Sequence, residues 1–401
     1  MTDQKLSTDP YKGVRDFYPA DMAVQQYIFD TWSKTAESFG YEQYAASILE
    51  PATLYKAKGA ENEELVNEQT YTFTDRGDRE VTLRPEMTPT VARMVAKKSR
   101  ELAFPLRWYS IPNMFRYERP QRGRLREHWQ LNCDIFGTSD ISADVEIIAL
   151  AYQTLIDFGA TADMFEILVN NRATMNLAYQ TIGIEDQHTI AGITRLNDRK
   201  DKISDEDYLK QLVDVIGNPE LAIEVKAMIE SADGGDNAVV ACLKDLGITN
   251  VRLDRSLARG FDYYTGTIFE IKDTAEGNNR SLLGGGRYDN LTSMFDAEPV
   301  SGIGFGMGDI TMRDFLGTHD LLPDFIKTAP DIIILPLEPA QNIYAQKVAT
   351  SLRSKDTSVT VDFSSKKLPK KLDAAKIRGI SRMVIIGETE MTSGQYEIKE
   401  L

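Results

Sequence analysis

The sequence predicts an α+β chain: a strand-rich body with flanking helices, interrupted by a helical insertion and followed by a small α/β domain. Three observations carry that expectation. Hairpin and strand patterns dominate residues 71–136. The texture changes after Arg172, where a polar stretch of helical period runs to Asp233. From Asp331 onward, strand and helix patterns alternate as they do over a parallel sheet.

Taken in order, Asp21 to Gly40 reads as a helix. Val24, Ile28, Trp32 and Ala36 recur at a spacing of four, Asp21 can cap the start, and Gly40 fits the end. Tyr71 to Asp75 and Glu80 to Arg84 form a hairpin around Arg76-Gly77-Asp78. Leu106 to Tyr117 and Leu125 to Phe136 are strand-like and joined by a charged loop. A helix from Asp144 to Phe158 is stopped by Gly159, and Phe165 to Val169 is a short strand. The insertion follows and closes at Gly234-Gly235. Strands return at Val251 to Leu253 and at Asp262 to Ile271. Gly302, Gly304, Gly306 and Gly308 alternate, which fits a strand packed closely on a ligand or a helix. The last domain reads strand (332–335), helix (339–354), strand (359–363), helix (369–378), strand (383–386). These patterns divide the chain at 1–172, 173–235, 236–326 and 327–401.

Composition narrows the function. A chain of 401 residues, 42% hydrophobic and 27% charged, suits two or three packed domains. Its first ten residues are polar and unlike a signal peptide, and its apolar runs are too short to cross a bilayer. A cytoplasmic protein with no membrane partner is expected. Two cysteines, Cys133 and Cys242, and three histidines make neither a disulfide framework nor a structural metal site. The net charge of −15 argues against indiscriminate nucleic-acid binding. Residues 327–401 nevertheless hold 12 Lys and Arg against 9 Asp and Glu, a balance of +3 beside −18 for the rest. That balance suits either a solvated face or a module that touches a polyanion.

Two constellations bear chemistry. Arg116, Arg119, Arg122, Arg124 and Arg126 fall within eleven positions on a strand pair and its loop, where planar guanidinium forks suit phosphate oxygens. The run Arg259-Gly260-Phe261-Asp262-Tyr263-Tyr264-Thr265-Gly266 sets a cation, an anion and two phenols beside glycines, near Gly284 to Tyr288. A buried polar pocket is one reading of it and ordinary core is the other. There is no Walker lysine loop, dinucleotide glycine fingerprint or nucleophilic serine elbow, so nucleotide chemistry here needs another fold.

In this order the segments resemble histidyl-tRNA synthetases over nearly the whole chain. The resemblance begins at Lys12-Gly13-Val14-Arg15-Asp16-Phe17-Tyr18-Pro19 and continues through Gly40-Tyr41 and Leu49-Glu50-Pro51, similar to the class II first motif at the dimer interface. Leu83-Arg84-Pro85-Glu86-Met87-Thr88 resembles the amino-acid-binding strand, and Phe115 to Arg124 with Gln130 the second motif. Arg259 to Thr265 and Gly285-Gly286-Arg287-Tyr288-Asp289 resemble the two histidine signatures, which relatives for other amino acids do not share.

The resemblance implies an antiparallel class II catalytic sheet, an anticodon-binding domain after residue 327, a homodimer, and tRNA(His), histidine, ATP and Mg²⁺ as partners. It implies that Glu86, Thr88 and Gln130 hold the α-amino group, and that Asp134 and Tyr264 meet the imidazole with Tyr263 and Tyr288 lining the pocket. Arg116 and Arg259 are the implied catalytic cations, Arg116 on the α-phosphate. Arg124 and His128 would bind ATP, while Gln121 and Arg126 would meet the tRNA acceptor end. No protein metal cage is implied.

Three residues depart from the family pattern. Asp134 is usually Glu, and His128 stands where an aromatic, usually Phe, packs on adenine. Thr311 stands where the third motif ends in an arginine that grips the γ-phosphate, so a loop arginine, Arg119 or Arg122, is expected to take over; Arg313, two positions on along a helix, would point elsewhere. The alternative is a non-catalytic synthetase-like regulatory subunit of ATP phosphoribosyltransferase.

Overall fold

A computed structural model of the chain describes residues 6–56, 69–200, 203–231, 237–258, 263–276, 281–323 and 329–401. Its two compact units are residues 1–18 with 24–323, and residues 19–23 with 324–401.

Helix α1 (Pro19–Ser38), which belongs to the larger unit from Val24 onward, begins two residues earlier than the sequence suggests. Pro19 occupies its first turn, where a missing N–H costs nothing, so Asp21 lies inside the first turn and not at the cap. β1 (Glu42–Gln43) and β2 (Leu49–Pro51) follow, then a single helical turn α2 (Thr53–Lys56). β3 (Tyr71–Thr74) and β4 (Glu80–Leu83) form the expected hairpin, which adds β2 to make a small sheet. α3 (Thr88–Lys98) leads to β5 (Leu106–Ser110), β6 (Asn113–Phe115) and β7 (Glu127–Phe136). The run 106–117 is therefore two strands; Pro112 has no N–H for the ladder and breaks it.

α4 (Ile141–Asp157) starts ahead of its expected position because the Asp140 side chain caps it, accepting from Ser142 N at 2.8 Å. β8 (Phe165–Asn171) then opens the insertion. α5 (Arg172–Thr181), α6 (Gln187–Asn197), α7 (Asp205–Ile216) and α8 (Pro219–Glu230) are capped by Asn171, Asp186, Ser204 and Asn218. They close around their own core, which includes Tyr179, Ile193, Tyr208, Leu212 and Val225. Gly234 and Gly235 lie outside the described residues. α9 (Ala238–Asp245), β9 (Val251–Leu253), β10 (Thr267–Asp273), β11 (Ser281–Tyr288), β12 (Gly302–Gly308) and α10 (Asp309–Thr318) complete the body. β10 starts after Tyr263 and Tyr264, which lie in the preceding turn and not in the strand.

Among the described residues the main sheet runs β1-β5-β7-β12-β11-β10-β8-β9, with β6 pairing β7. Its central ladders are antiparallel, and only β1/β5 and β8/β9 are parallel. The two faces differ. Leu131, Cys133, Ile135, Ile303, Phe305 and Met307 pack under α1, α4, α9 and α10. On the other face α3 covers only one end, through Val91, Ala92 and Val95 against Leu106, Phe136 and Tyr288. That leaves the middle of this face open as a floor for a site.

The smaller unit is β13 (Ile332–Pro336), α11 (Asn342–Arg353), β14 (Val359–Val361), α12 (Leu368–Ile377), β15 (Arg382–Ile386), α13 (Glu388–Ser393) and β16 (Lys399–Glu400). β14-β13-β15 is the expected parallel sheet, with β16 antiparallel at the edge. Ile332 and Ile334 face the core under α11, and Ile333 and Leu335 face the one under α12. A strand buried on both faces explains the unbroken apolar run.

Candidate active site

The site is built on the alternation of β7. Leu131, Cys133 and Ile135 enter the core, so His128, Gln130, Asn132 and Asp134 share the open face. The neighbouring strands leave room for them. Gly304 pairs with Asp134, and a Cβ at Gly304 would overlap the Asp134 carboxylate. A Cβ at Gly306 would strike the Gln130 amide, and one at Gly286 would lie 2.8 Å from the Tyr264 ring. The glycine alternation therefore makes space for the side chains of a pocket wall. Gly304→Ala is expected to weaken binding of the ligand this wall receives by about tenfold to a hundredfold, equivalent to ~1–3 kcal/mol of overpacking. Circular dichroism would check that the sheet survives.

Two cavities open on this floor. The first encloses about 120 Å³ and brings together Glu86, Thr88, Gln130, Asp134, Tyr263, Tyr264 and Tyr288, with Arg116 at its edge. Glu86 is 4% exposed at the turn into α3 and accepts a hydrogen bond from Tyr263 Oη at 3.4 Å. The Tyr263 ring packs on Tyr264 at 4.8 Å and edge-on to Tyr288 at 5.9 Å. Tyr288 Oη donates to Asp134 Oδ1. Burial pushes the Asp134 carboxyl up to about 7, against that hydrogen bond, which favours the charged form.

The second cavity, of about 190 Å³, shares Arg116, Gln130, Gly284 and Gly306 with the first and adds Arg124, His128 and Thr311. Arg116 Nε donates to Pro85 O at 2.9 Å, which anchors one edge of its guanidinium. Glu118, 12% exposed, lies between Arg116 at 4.0 Å and Arg124 at 3.6 Å. Burial, then the charges of Arg116 and Arg15, push His128 down to about 3. Its imidazole is neutral at physiological pH. The Thr311 hydroxyl donates to Gly308 O at 3.1 Å and brings no charge.

Other expected residues are placed elsewhere. Arg259 lies outside the described residues. Gln121 is exposed and only bridges to Arg124. Arg126 donates to Tyr11 Oη at 2.9 Å and stacks 4.0 Å over the Tyr117 ring, tying the N-terminal segment to the loop. Arg119 is exposed and lines neither cavity. Arg287 is structural: it pairs with buried Asp144 and donates to Thr138 O and Ser301 Oγ. Sequence reasoning missed Asn132, which lines the first cavity. The polar residue at every second position from His128 to Asp134 was the available signal.

A family model described as "Histidyl-tRNA synthetase" matches residues 13–309, and one described as "Anticodon binding domain" matches residues 331–401. The histidine–tRNA ligase of Leptospira biflexa is 41% identical over 418 aligned positions, covering 100% of this chain and 95% of its own. That of Thermoplasma volcanium is 37% identical, over 99% of this chain and 95% of its own. The crystal structure of histidyl-tRNA synthetase from Nostoc sp. superposes with a TM-score of 0.77 at 20% identity, covering 99% of this chain and 97% of that one.

Proposed function

The chain belongs to the histidyl-tRNA synthetase family, and from that premise we propose that its two joined cavities activate histidine with ATP before the histidyl group passes to tRNA(His). The carrying observation is the shared wall. Arg116 and Gln130 border both a cavity of phenols and carboxylates and a cavity of guanidiniums with a neutral imidazole. The relatives match along the whole chain, which favours a ligase over the regulatory-subunit reading. Histidine-dependent exchange of labelled pyrophosphate into ATP, run beside a panel of other amino acids, tests it. Exchange with histidine alone is expected; preference for another amino acid, or none, would overturn the reading.

Glu86 and Thr88, with Gln130, hold the α-ammonium by a carboxylate and directional polar groups. Asp134 and Tyr264 meet the two imidazole nitrogens. The substrate carboxylate then attacks the α-phosphorus, the bond to the bridging oxygen breaks, and pyrophosphate leaves in line. Arg116 and Arg259 stabilise the charge that grows on the α-phosphate. Mg²⁺ would be held mainly by the phosphates, with Glu118, the one carboxylate among the described residues lining the ATP cavity, able to share it, and would neutralise phosphate charge. Gln121 and Arg126 meet the acceptor end of the tRNA.

The unit from residue 329 binds the anticodon region. Its cores are separate from those of the body. Deleting it is expected to leave pyrophosphate exchange largely intact and to cut aminoacylation by about a hundredfold, roughly 2.7 kcal/mol of lost tRNA affinity. Loss of exchange in a still-folded protein would assign it a supporting role. The protein works in the cytoplasm as a homodimer, joined at the segment around Pro51; light scattering is expected to give twice the chain mass of 45.0 kDa.

A further inference from the structure

Among the described residues that line it, the ATP cavity holds two guanidiniums, Arg116 and Arg124, and one carboxylate, Glu118. Both guanidiniums are opposed by that carboxylate, and Thr311 contributes only a hydroxyl, directed at the carbonyls of Gly308 and Leu282. A third cavity of about 530 Å³ continues from the second, the two sharing Gly123 of the arginine loop and Ile310 of α10. Its wall carries three guanidiniums, Arg15, Arg122 and Arg313, against one carboxylate, Asp314.

The arrangement suits an anion that arrives and leaves. Arg122 forks onto Asp314 at 3.0–3.2 Å, yet its side chain is 62% exposed, where an ion pair contributes little and exchanges readily. Arg15 is fixed instead. Its Nη2 donates at 2.6 Å to Asp309, which is fully buried and also accepts from Gln25 Nε2 at 3.0 Å and Trp129 N at 2.9 Å. Arg15 Nε is buried with no hydrogen-bond partner. The Arg15 charge is also felt at His128, which lines the second cavity. Arg313 lines this third cavity and not the second.

We propose that the β- and γ-phosphates of ATP, and the pyrophosphate they become, extend from the second cavity into the third, where Arg15, Arg122 and Arg313 hold them. The proposal rests on the reading of the second cavity as the ATP site. It gives the N-terminal Lys12–Pro19 segment a part in the reaction: Arg15, pinned by Asp309, is a preset donor, while Arg122 trades the Asp314 carboxylate for phosphate oxygens.

Calorimetry with β,γ-methylene-ATP and with AMP separates the groups. In Arg122→Ala and in Arg313→Ala, affinity for the triphosphate analogue is expected to fall about tenfold or more, as charge-assisted hydrogen bonds are lost. AMP, which has no β- or γ-phosphate, is expected to bind each variant as it binds the unmodified protein, and so reports the fold. Asp314→Asn frees Arg122 and is expected to strengthen binding of the triphosphate analogue. Adding Thr311→Arg to Arg122→Ala is expected to restore much of the loss. Equal affinity for the triphosphate analogue across these variants, or equal loss for AMP and the analogue, would overturn the third-cavity proposal alone. Failure of the unmodified protein to bind either nucleotide would overturn the ATP-site reading beneath it.

Discussion

Arg116→Ala is expected to lower kcat for histidyl-adenylate formation by about two to three orders of magnitude, roughly 3–4 kcal/mol of transition-state stabilisation. The expectation follows from position. Among the described residues Arg116 is the one cation that borders both cavities, and its Nε is tied to Pro85 O, so the guanidinium is held before any ligand arrives. A preset donor aimed at developing charge lowers the barrier more than it strengthens ground-state binding. Single-turnover adenylate formation, followed by released pyrophosphate, separates the two effects. The histidine Michaelis constant should change far less than the rate. A variant with normal turnover and only weakened binding would remove Arg116 from the chemical step. Arg116→Lys is the sharper comparison: it keeps the charge but loses the planar fork.

Asp134→Asn is expected to cost about a hundredfold in kcat/KM for histidine, because a site built to pair both imidazole nitrogens is left with a mismatched partner. The same substitution is expected to stabilise the protein at alkaline pH. Burial raises the Asp134 carboxyl from 3.8 to about 7 in the folded chain. The fold therefore favours the neutral acid, and that stability is present below the unfolded value and lost as pH climbs through about 7. A shift of that size corresponds to at most roughly 4 kcal/mol. The difference in melting temperature between variant and parent should therefore grow from pH 5 to pH 9. For the parent enzyme, the histidine Michaelis constant should fall as Asp134 ionises near neutrality, and the variant should lack that step. A pH-independent difference in melting temperature would mean that Asp134 does not titrate in this window.

Much of this was legible in the sequence because local rules and tertiary structure agree there. The strand–helix alternation after Asp331 became a parallel sheet because β13 is buried on both faces and reads as a plain apolar run. The residues of the first cavity are distant in sequence, from Glu86 to Tyr288, and only the family resemblance could gather them. What escaped was side-chain direction. Five clustered arginines read as one anion site, yet Arg126 stacks on Tyr117, Arg122 forks onto Asp314, and Arg116 alone borders both cavities. Spacing along a loop does not determine where a long side chain turns. Arg287 and Asp289 belong to a histidine signature, but they brace the pocket from behind through Asp144, Ser301 and Thr265. A motif marks what a site depends on, including residues that never meet the substrate.

The insertion raises a different matter. Because α5 to α8 close around their own apolar centre, they can open without exposing the catalytic sheet. Hydrogen–deuterium exchange should then resolve the amides of this segment as a cooperative unit with its own opening free energy, below that of β7 and β12. Conditions that melt the insertion would leave amino-acid activation running in a protein that is already partly unfolded. A loss-of-activity curve and a helix-content curve, recorded on the same sample, would part company.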